Sequence, residues 1–488
     1  MAQAVTGIVR QPRVGAWATV LLFILLAALC GGLVAADVPM GKVVGIGLAG
    51  MVVGTAVTVL HPNAVYYAFA FVLGAIPFAV VPGLGQPMVF ILAVAIWAAL
   101  LTHPIAEYRT NAVEVATVFL VVTSLLSMVM TATGLADYLE FVKWLLGVSV
   151  LFVLFRLDRR VLRKFGQSFA IGTFVGAAFA LGVFFFDKAG TTLNLLSPIG
   201  YGQTGVIGTH LRFYVIDNST VVRLTGTYID PNAAGIFLLI GGAFAVALLR
   251  GWVRFIAVPV IFGALIITLS RSAIFSAVVA LLFFLLFQKM STTIRLSIIG
   301  LAIVSAAGAL SVPAIYSRFF DSFGSQDIGA NDRAEALINF PKVMSGNWLF
   351  GKGWGVPEFT DEVVGYKTNY VANSPLLTVY RGGIFTGLAF VAVLIAAIVI
   401  AHRNARQDPW ESGIMGAAVF GFAVVGLQLD FPVVTHAPMT MAFCVFLTLA
   451  SLNPVEPDDP PRDVDDVGDG DGENTERRPT TTKVSSDV

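Results

Sequence analysis

Charge is scarce in this chain. Only 12% of its 488 residues are Asp, Glu, Lys or Arg, about half the share that soluble domains carry. That shortage excludes an ordinary water-soluble domain. Cysteine is nearly absent as well. Cys30 and Cys444 each sit inside an apolar block, which excludes a disulfide framework and a cysteine metal site. Catalytic signatures are missing too. The chain has no HExxH, Walker or GxSxG motif, no paired carboxylates at a recognisable spacing, and no Asp-x-Asp at an outer loop start. No metal or other cofactor is therefore expected, and no nucleic-acid partner.

What is abundant is apolar. Hydrophobic residues make up 57% of the chain. They come in blocks of about 17–22, the length that crosses hydrocarbon. The spacing predicts spans near 16–36, 43–61, 64–82, 86–102, 112–130, 139–155, 166–186, 233–249, 253–270, 273–288, 295–312, 383–401, 413–429 and 436–452. The first block resembles a signal peptide, but it is long, lacks a clean cleavage pattern and is followed by further spans. It reads as an uncleaved first helix. The expected fold class is all-α: a polytopic integral membrane protein with about fourteen transmembrane helices (roughly 12–14) and a large, partly helical external loop.

Basic residues orient it. Arg10 and Arg13 precede the first span. Arg156, Arg159, Arg160, Arg163 and Lys164 follow the sixth, Arg250 and Arg254 the eighth, Lys289 and Arg295 the tenth, and Arg403 and Arg406 the twelfth. All fall at even-numbered boundaries, which the positive-inside rule assigns to the cytoplasm. Both termini are then cytoplasmic, and the polar segments 187–232 and 313–373 are external. Three regions follow: N-terminal helices over 1–186, a catalytic-type membrane region over 187–452, and a tail over 453–488. The formal net charge is zero, yet the tail holds 4 basic and 11 acidic residues against 26 and 19 elsewhere. Rich in Asp, Gly, Pro and Thr with little to bury, the tail reads as disordered. Asp469, Asp471 and Glu473 alternate like a calcium loop, but Asn474 stands where an EF-hand needs Gly.

Most of the polar chemistry outside the tail lies in 313–373, including Asp321, Asp332, Glu335, Trp348, Trp354 and Tyr370. Loops that long are usually functional or disordered. Asn331 can cap a helix, with Asp332 and Glu335 favourable in its first turn. Leu337, Phe340 and Met344 recur at helical spacing, and Pro341 should bend or end that helix. The run Gly351-Lys352-Gly353-Trp354-Gly355 is either a plain surface turn or a turn whose backbone N–H groups approach an anion.

Four arginines lie at the outer face: Arg223, Arg271, Arg333 and Arg381. A cation at the hydrocarbon edge must snorkel, pair, or face a watery cavity. Guanidinium suits bidentate phosphate binding, so several on one cavity would suit a lipid-linked diphosphate. His210 is the one histidine in either external loop, and a lone histidine is more often structural. Asp217, Asp230, Glu358, Asp361 and Glu362 are outer acids able to act as a general base.

Four stretches carry a family resemblance. Arg223-Leu224-Thr225-Gly226-Thr227-Tyr228-Ile229-Asp230-Pro231-Asn232 before an apolar span is the first. Leu269-Ser270-Arg271-Ser272-Ala273 is the second. Asn331-Asp332-Arg333, with Asn347-Trp348-Leu349-Phe350 and the glycine-rich run, is the third. Asn373-Ser374-Pro375-Leu376-Leu377, then Gly383 and Gly387, is the fourth. In order and spacing, over about 222–400, the chain resembles the O-antigen ligase and polymerase superfamily of bacterial membrane glycosyltransferases. The resemblance implies an enzyme of the cell inner (cytoplasmic) membrane serving the cell envelope. It would use a glycan on a polyprenyl (undecaprenyl) diphosphate and move it onto the end of another at the outer face. Arg223, Arg271 and Arg333, with Arg381 as a fourth, would stabilise the leaving diphosphate. Asp230, Asn232, Asn373, Tyr380 and His210 would bind substrate, with Asn373 and Tyr380 orienting the acceptor sugar. Implied partners are the lipid-linked glycan, the bilayer, and flippase and chain-length regulator proteins. One position departs from the family. Ligases have a histidine before the Asn, and this chain has Ala372, which favours the polymerase branch over a ligase onto lipid or protein. A transporter or lipid flippase shares the many spans, but it would show broken helices in paired halves and no large folded outer loop.

Overall fold

The apolar blocks fold as α-helices, whose backbone polar groups are satisfied within each segment and so tolerate lipid. The computed structural model describes residues 54–82, 85–103, 110–187, 191–202, 205, 212–216, 219–313, 315–316, 328–356, 359–361, 366–369, 371, 373–406, 410–426 and 437–453. Helix makes up about 81% of the structure. After a helical segment Gly54–Leu60, the elements are α1 (Pro62–Ala75), α2 (Met88–Thr102), α3 (Ala112–Thr131), α4 (Leu135–Leu154), α5 (Arg159–Phe186), strands β1 (Arg212–Ile216) and β2 (Ser219–Arg223), α6 (Pro231–Leu248), α7 (Gly251–Ile267), α8 (Arg271–Phe287), α9 (Thr292–Leu310), α10 (Ile328–Val343), strands β3 (Phe359–Asp361) and β4 (Tyr366–Asn369), α11 (Ser374–Asn404), α12 (Trp410–Gly426) and α13 (Ala437–Leu452). Residues Met1–Val455 form one unit and Glu456–Val488 another. The second unit, the predicted span 16–36 and most of 43–61 lie outside the described residues.

Among the described residues, five helices are long and apolar enough to cross a membrane: α3, α5, α6, α9 and α11. The bent pair Gly54–Leu60 and α1 makes a sixth if it is one span. Helices α2, α7, α8 and α13 are apolar but shorter. The fold is therefore that of an all-helical, multi-pass membrane protein, and among the described residues five or six of the fourteen expected spans are met by length and composition. Two antiparallel hairpins, β1–β2 and β3–β4, add small strands to the polar segments, where no strand was expected.

Helix α6 is the hub. It has no polar face: 89% of its apolar window is buried, as expected of a helix hydrophobic all round. It packs against α5, α7, α8, α12 and α13. Helices α1 and α5 meet backbone to backbone. A side chain at Gly74 would strike the Phe169 carbonyl, and one at Gly172 the Phe71 carbonyl. Small residues allow such approach where burial in lipid supplies no extra drive. Helix α9 is the opposite case, with no buried residue along its length.

Short connections reverse the chain repeatedly. Helix α5 runs antiparallel to α6: Gln167 Nε2 donates to the Leu248 carbonyl (3.0 Å) near one end, and Gly226 abuts Ala180 near the other. Following the turns 132–134, 155–158, 249–250 and 268–270 puts the starts of α4, α6 and α8 at one end. The opposite end gathers ionic and aromatic pairs. Arg156 bonds Glu114 at 2.9 Å, Arg254 approaches Glu411 at 3.7 Å and lies over Trp410, and Arg406 lies over Phe287.

Helix α10 begins at Ile328, so Asn331 falls inside it instead of capping it. Pro341 lies in its last turn. Its buried stripe is Ala336, Phe340 and Met344, while Leu337 is exposed. Leu337 is one position off the stripe that Ala336, small and less conspicuous, occupies.

Candidate functional site

The segment before α6 is tied down by side chains at the ends of other helices. Thr227 Oγ1 donates to the Ala75 carbonyl (2.7 Å) and Tyr228 OH to the Gly74 carbonyl (3.0 Å). Both carbonyls are left open by the end of α1. Tyr201 OH donates to the Thr227 carbonyl at 2.9 Å. Burial pushes the phenols of Tyr201 and Tyr228 far up, so both stay protonated donors. Asp230 then caps α6: its Oδ1 accepts from the backbone N–H of Asn232 (2.8 Å) and Ala233 (3.3 Å), as an N-cap carboxylate should.

Asn232 is thereby fixed in the first turn of α6, and its Oδ1 receives two donors. Arg223 Nη2 reaches it at 3.2 Å and Ser270 Oγ at 3.1 Å. Arg223 also donates Nε to the Thr268 carbonyl (3.0 Å) and Nη2 to the Leu269 carbonyl (3.4 Å). The backbone agrees, since the Leu224 N–H meets the Ile267 carbonyl at 3.3 Å. One guanidinium and one amide thus hold the 268–270 turn, and Arg271, half-buried, is the first residue of α8 directly after it. Two residues beside this joint have left-handed backbones, Ile229 at φ 59° and Leu269 at φ 52°. Neither is glycine, and for a β-branched residue this is a true outlier. Such strain costs about 1–3 kcal/mol each and collects at functional sites.

A second cluster surrounds a break in α11. Gly383 is non-helical (φ 80°, ψ 179°), a conformation open only to glycine, and a side chain there would strike the Leu349 carbonyl. The helix bonds lost at the break are taken over by 348–353. Ile384 N–H donates to the Trp348 carbonyl (2.8 Å), Lys352 N–H to the Tyr380 carbonyl (2.6 Å) and Gly353 N–H to the Arg381 carbonyl (3.2 Å). Ser127 of α3 adds its hydroxyl to the Phe350 carbonyl at 2.6 Å. Trp354, 2% exposed, packs on α4 against Trp144 (4.5 Å between rings) and Phe141 (5.4 Å). Arg381, also 2% exposed, donates Nη1 to the Trp354 carbonyl. On the other side of that peptide, the Gly355 N–H bonds the carboxylate of Asp137. Asp137 stands in the first turn of α4, ahead of the apolar stretch. It also accepts from Thr133 N–H (2.8 Å) and Gly134 N–H (3.1 Å). These bonds, Thr133's first, hold its pKa below the usual carboxylate value.

The expected site residues divide accordingly. Arg223, Asp230, Asn232 and the turn carrying Arg271 come together. Arg381 belongs to the other cluster, where its Nη1 meets the Trp354 carbonyl. Tyr380 is buried beside it. Asn373 caps α11, its Oδ1 accepting from the Leu376 N–H at 3.0 Å. In the glycine-rich run the N–H groups of Lys352 and Gly353 are used on α11 and that of Gly355 on Asp137, so these three are not offered to an anion. Arg333 lies on α10, its side chain outside the described residues. His210, Asp217, Glu358, Glu362, Tyr370 and Ala372 also lie outside the described residues, as does the Asp361 side chain. Sequence reasoning missed Asp137, Ser127, Thr268 and the role of Ser270. Among the described residues, no group of three or more His, Cys, Asp or Glu could hold a metal ion.

Fold and site together define a multi-pass helical membrane protein with a strained, arginine-held joint at one end. No family model matches the chain, and no curated protein matches it at a significant level.

Proposed function

We propose that the protein is a membrane glycosyltransferase that polymerises polyprenyl-diphosphate-linked glycan repeat units at the outer face of the cytoplasmic membrane. The observation that carries this reading is the joint of Arg223, Asn232 and Ser270. Its two strained residues, Ile229 and Leu269, fall inside the two stretches, 223–232 and 269–273, that most resemble the O-antigen ligase and polymerase superfamily. Strain of this kind collects at functional sites, which supports the reading. In this reading Arg271 and Arg333 stabilise the diphosphate that leaves as the glycan is transferred. The expected topology, with basic clusters and both termini on the cytoplasmic side, would put them on the outer side. Ala372, in place of the ligase histidine, favours polymerisation over transfer to a lipid or protein.

The break in α11 favours a second reading, a lipid flippase or transporter, because interrupted helices mark such proteins. Protein backbone fills this break, however, which leaves the interruption as a socket for 348–353. The experiment that separates the readings is gene deletion followed by analysis of lipid-linked glycans. Single repeat units on the outer leaflet are expected. Full-length polymer on the carrier would indicate a ligase, and units held on the inner leaflet a flippase. Unchanged glycans would overturn the reading.

A further inference from the structure

We infer that Arg223 is a positioning residue: with Asn232 it fixes the strained 268–270 turn so that Arg271 is presented in one orientation. The consequence for turnover rests on the glycosyltransferase reading above, but the joint itself does not. The bonds already given are the ground. Two nitrogens of Arg223 go to protein acceptors on the turn and on α6. Its contacts with Thr268 and Leu269 are to main-chain oxygens, so they set backbone shape. Thr268 supports the same turn from within, its Oγ1 donating to the Leu265 carbonyl (2.6 Å) and accepting from the Ser270 N–H (3.1 Å). Leu269 would leave its left-handed conformation if these bonds were lost, since an L residue has no preference for it. Arg271 begins the helix two positions later and would turn with it. Asn232 is the hub, because its Oδ1 ties Arg223 to Ser270, and Asp230 holds its backbone.

The charge of the hub separates positioning from direct diphosphate binding. An Asn232→Asp carboxylate keeps both acceptor functions and pairs more strongly with guanidinium. It would preserve a positioning joint. If Arg223 instead bound the diphosphate, a carboxylate placed against it would repel the ligand. Asn232→Ala removes the acceptor in either case.

The test uses full-length protein in lipid nanodiscs. The first readout is the rate at which phenylglyoxal, an arginine-selective reagent, modifies Arg271, followed by mass spectrometry. It needs no activity. Asn232→Ala and Arg223→Lys are expected to change that rate several-fold, Asn232→Asp to leave it within about two-fold, with gel-filtration profiles unchanged. The second readout is chain growth on a polyprenyl-diphosphate repeat unit. Asn232→Asp is expected to lower kcat clearly less than Asn232→Ala does. Asn232→Ala and Arg223→Lys should lower kcat with KM little changed, and the double variant should be no worse than the poorer single one. Equal Arg271 modification in wild type and Asn232→Ala overturns the inference, as does an Asn232→Asp protein as inactive as Asn232→Ala. A wild-type protein without chain growth overturns the glycosyltransferase reading alone, and the modification rates then decide the inference.

Discussion

One peptide unit joins Asp137 to Arg381. The Trp354 carbonyl accepts from the Arg381 guanidinium, and the N–H of the same peptide, on Gly355, bonds the Asp137 carboxylate. The negative group lies at the positive end of the peptide dipole and the positive group at its negative end. A cation buried at the edge of a helical bundle is costly unless it is paired. Here the pairing runs through backbone, which also pins 347–355 to the bundle. Arg381→Ala is expected to leave the Trp354 carbonyl unmatched and lower the thermal midpoint of the purified protein by several degrees. An unchanged midpoint would show that the peptide needs no cation.

The socket in α11 depends on Gly383. Gly383→Ala forces a left-handed backbone on alanine and drives its methyl into the Leu349 carbonyl. Loss of folded protein, or a destabilisation above about 1–3 kcal/mol, is expected. Gly300→Ala in α9 is the control, since nothing lies within 4 Å of its added carbon. Ala there should be neutral or stabilise the helix by up to about 1 kcal/mol. Thermal scans of the two variants in one detergent check both outcomes.

Asp187 supplies a pH signature. Its carboxylate accepts the Thr192 N–H and, at 3.1 Å, the Thr191 hydroxyl. These bonds, Thr192's first, lower its pKa from 3.8 to about 2. A carboxylate lowered by folding stabilises the fold above its ordinary value and loses that contribution as pH falls through the folded one. Asp187→Asn should therefore be less stable than wild type at pH 7. The gap should narrow between pH 3.8 and about 2 and close below it. A gap constant across that range would show that the carboxylate's charge contributes nothing.

The two ends of the bundle should be reachable from opposite sides. Ser345 and Ser291 are both exposed, the first in the segment that seats on α11 and the second before α9. Cysteine at Ser345 should react with an impermeant maleimide on intact cells, and cysteine at Ser291 only after permeabilisation. Labelling of both from outside would reverse the proposed orientation of α9.

The helices were legible because apolar length and flanking charge report them directly. The block read as 112–130 is the helix Ala112–Thr131, and that read as 233–249 is Pro231–Leu248. Arg223 and Arg271 were legible because outer-face arginines run against the positive-inside rule, and Asn232 because the stretch 223–232 resembles a family element. Asp137 was not, because its far partner is a backbone N–H, and main-chain donors leave no trace in residue identity. The strain at Ile229 and Leu269 was hidden for a similar reason. Glycine announces a positive φ, whereas isoleucine and leucine argue against one. The use of the Lys352 and Gly353 N–H groups was hidden, because the break in α11 that takes them arises from a single glycine.

The most direct test of the central claim is chain growth by the purified protein in proteoliposomes, given only a single-repeat glycan on polyprenyl diphosphate. A ladder of lengthening lipid-linked glycans is expected from wild type. Arg271→Lys, which keeps the charge and loses the planar fork, should cut the rate about 10- to 1000-fold with normal protein yield, the range of roughly 1.4–4 kcal/mol for a charge-stabilising donor. No ladder from wild type, or an Arg271→Lys ladder equal to it, would contradict the account.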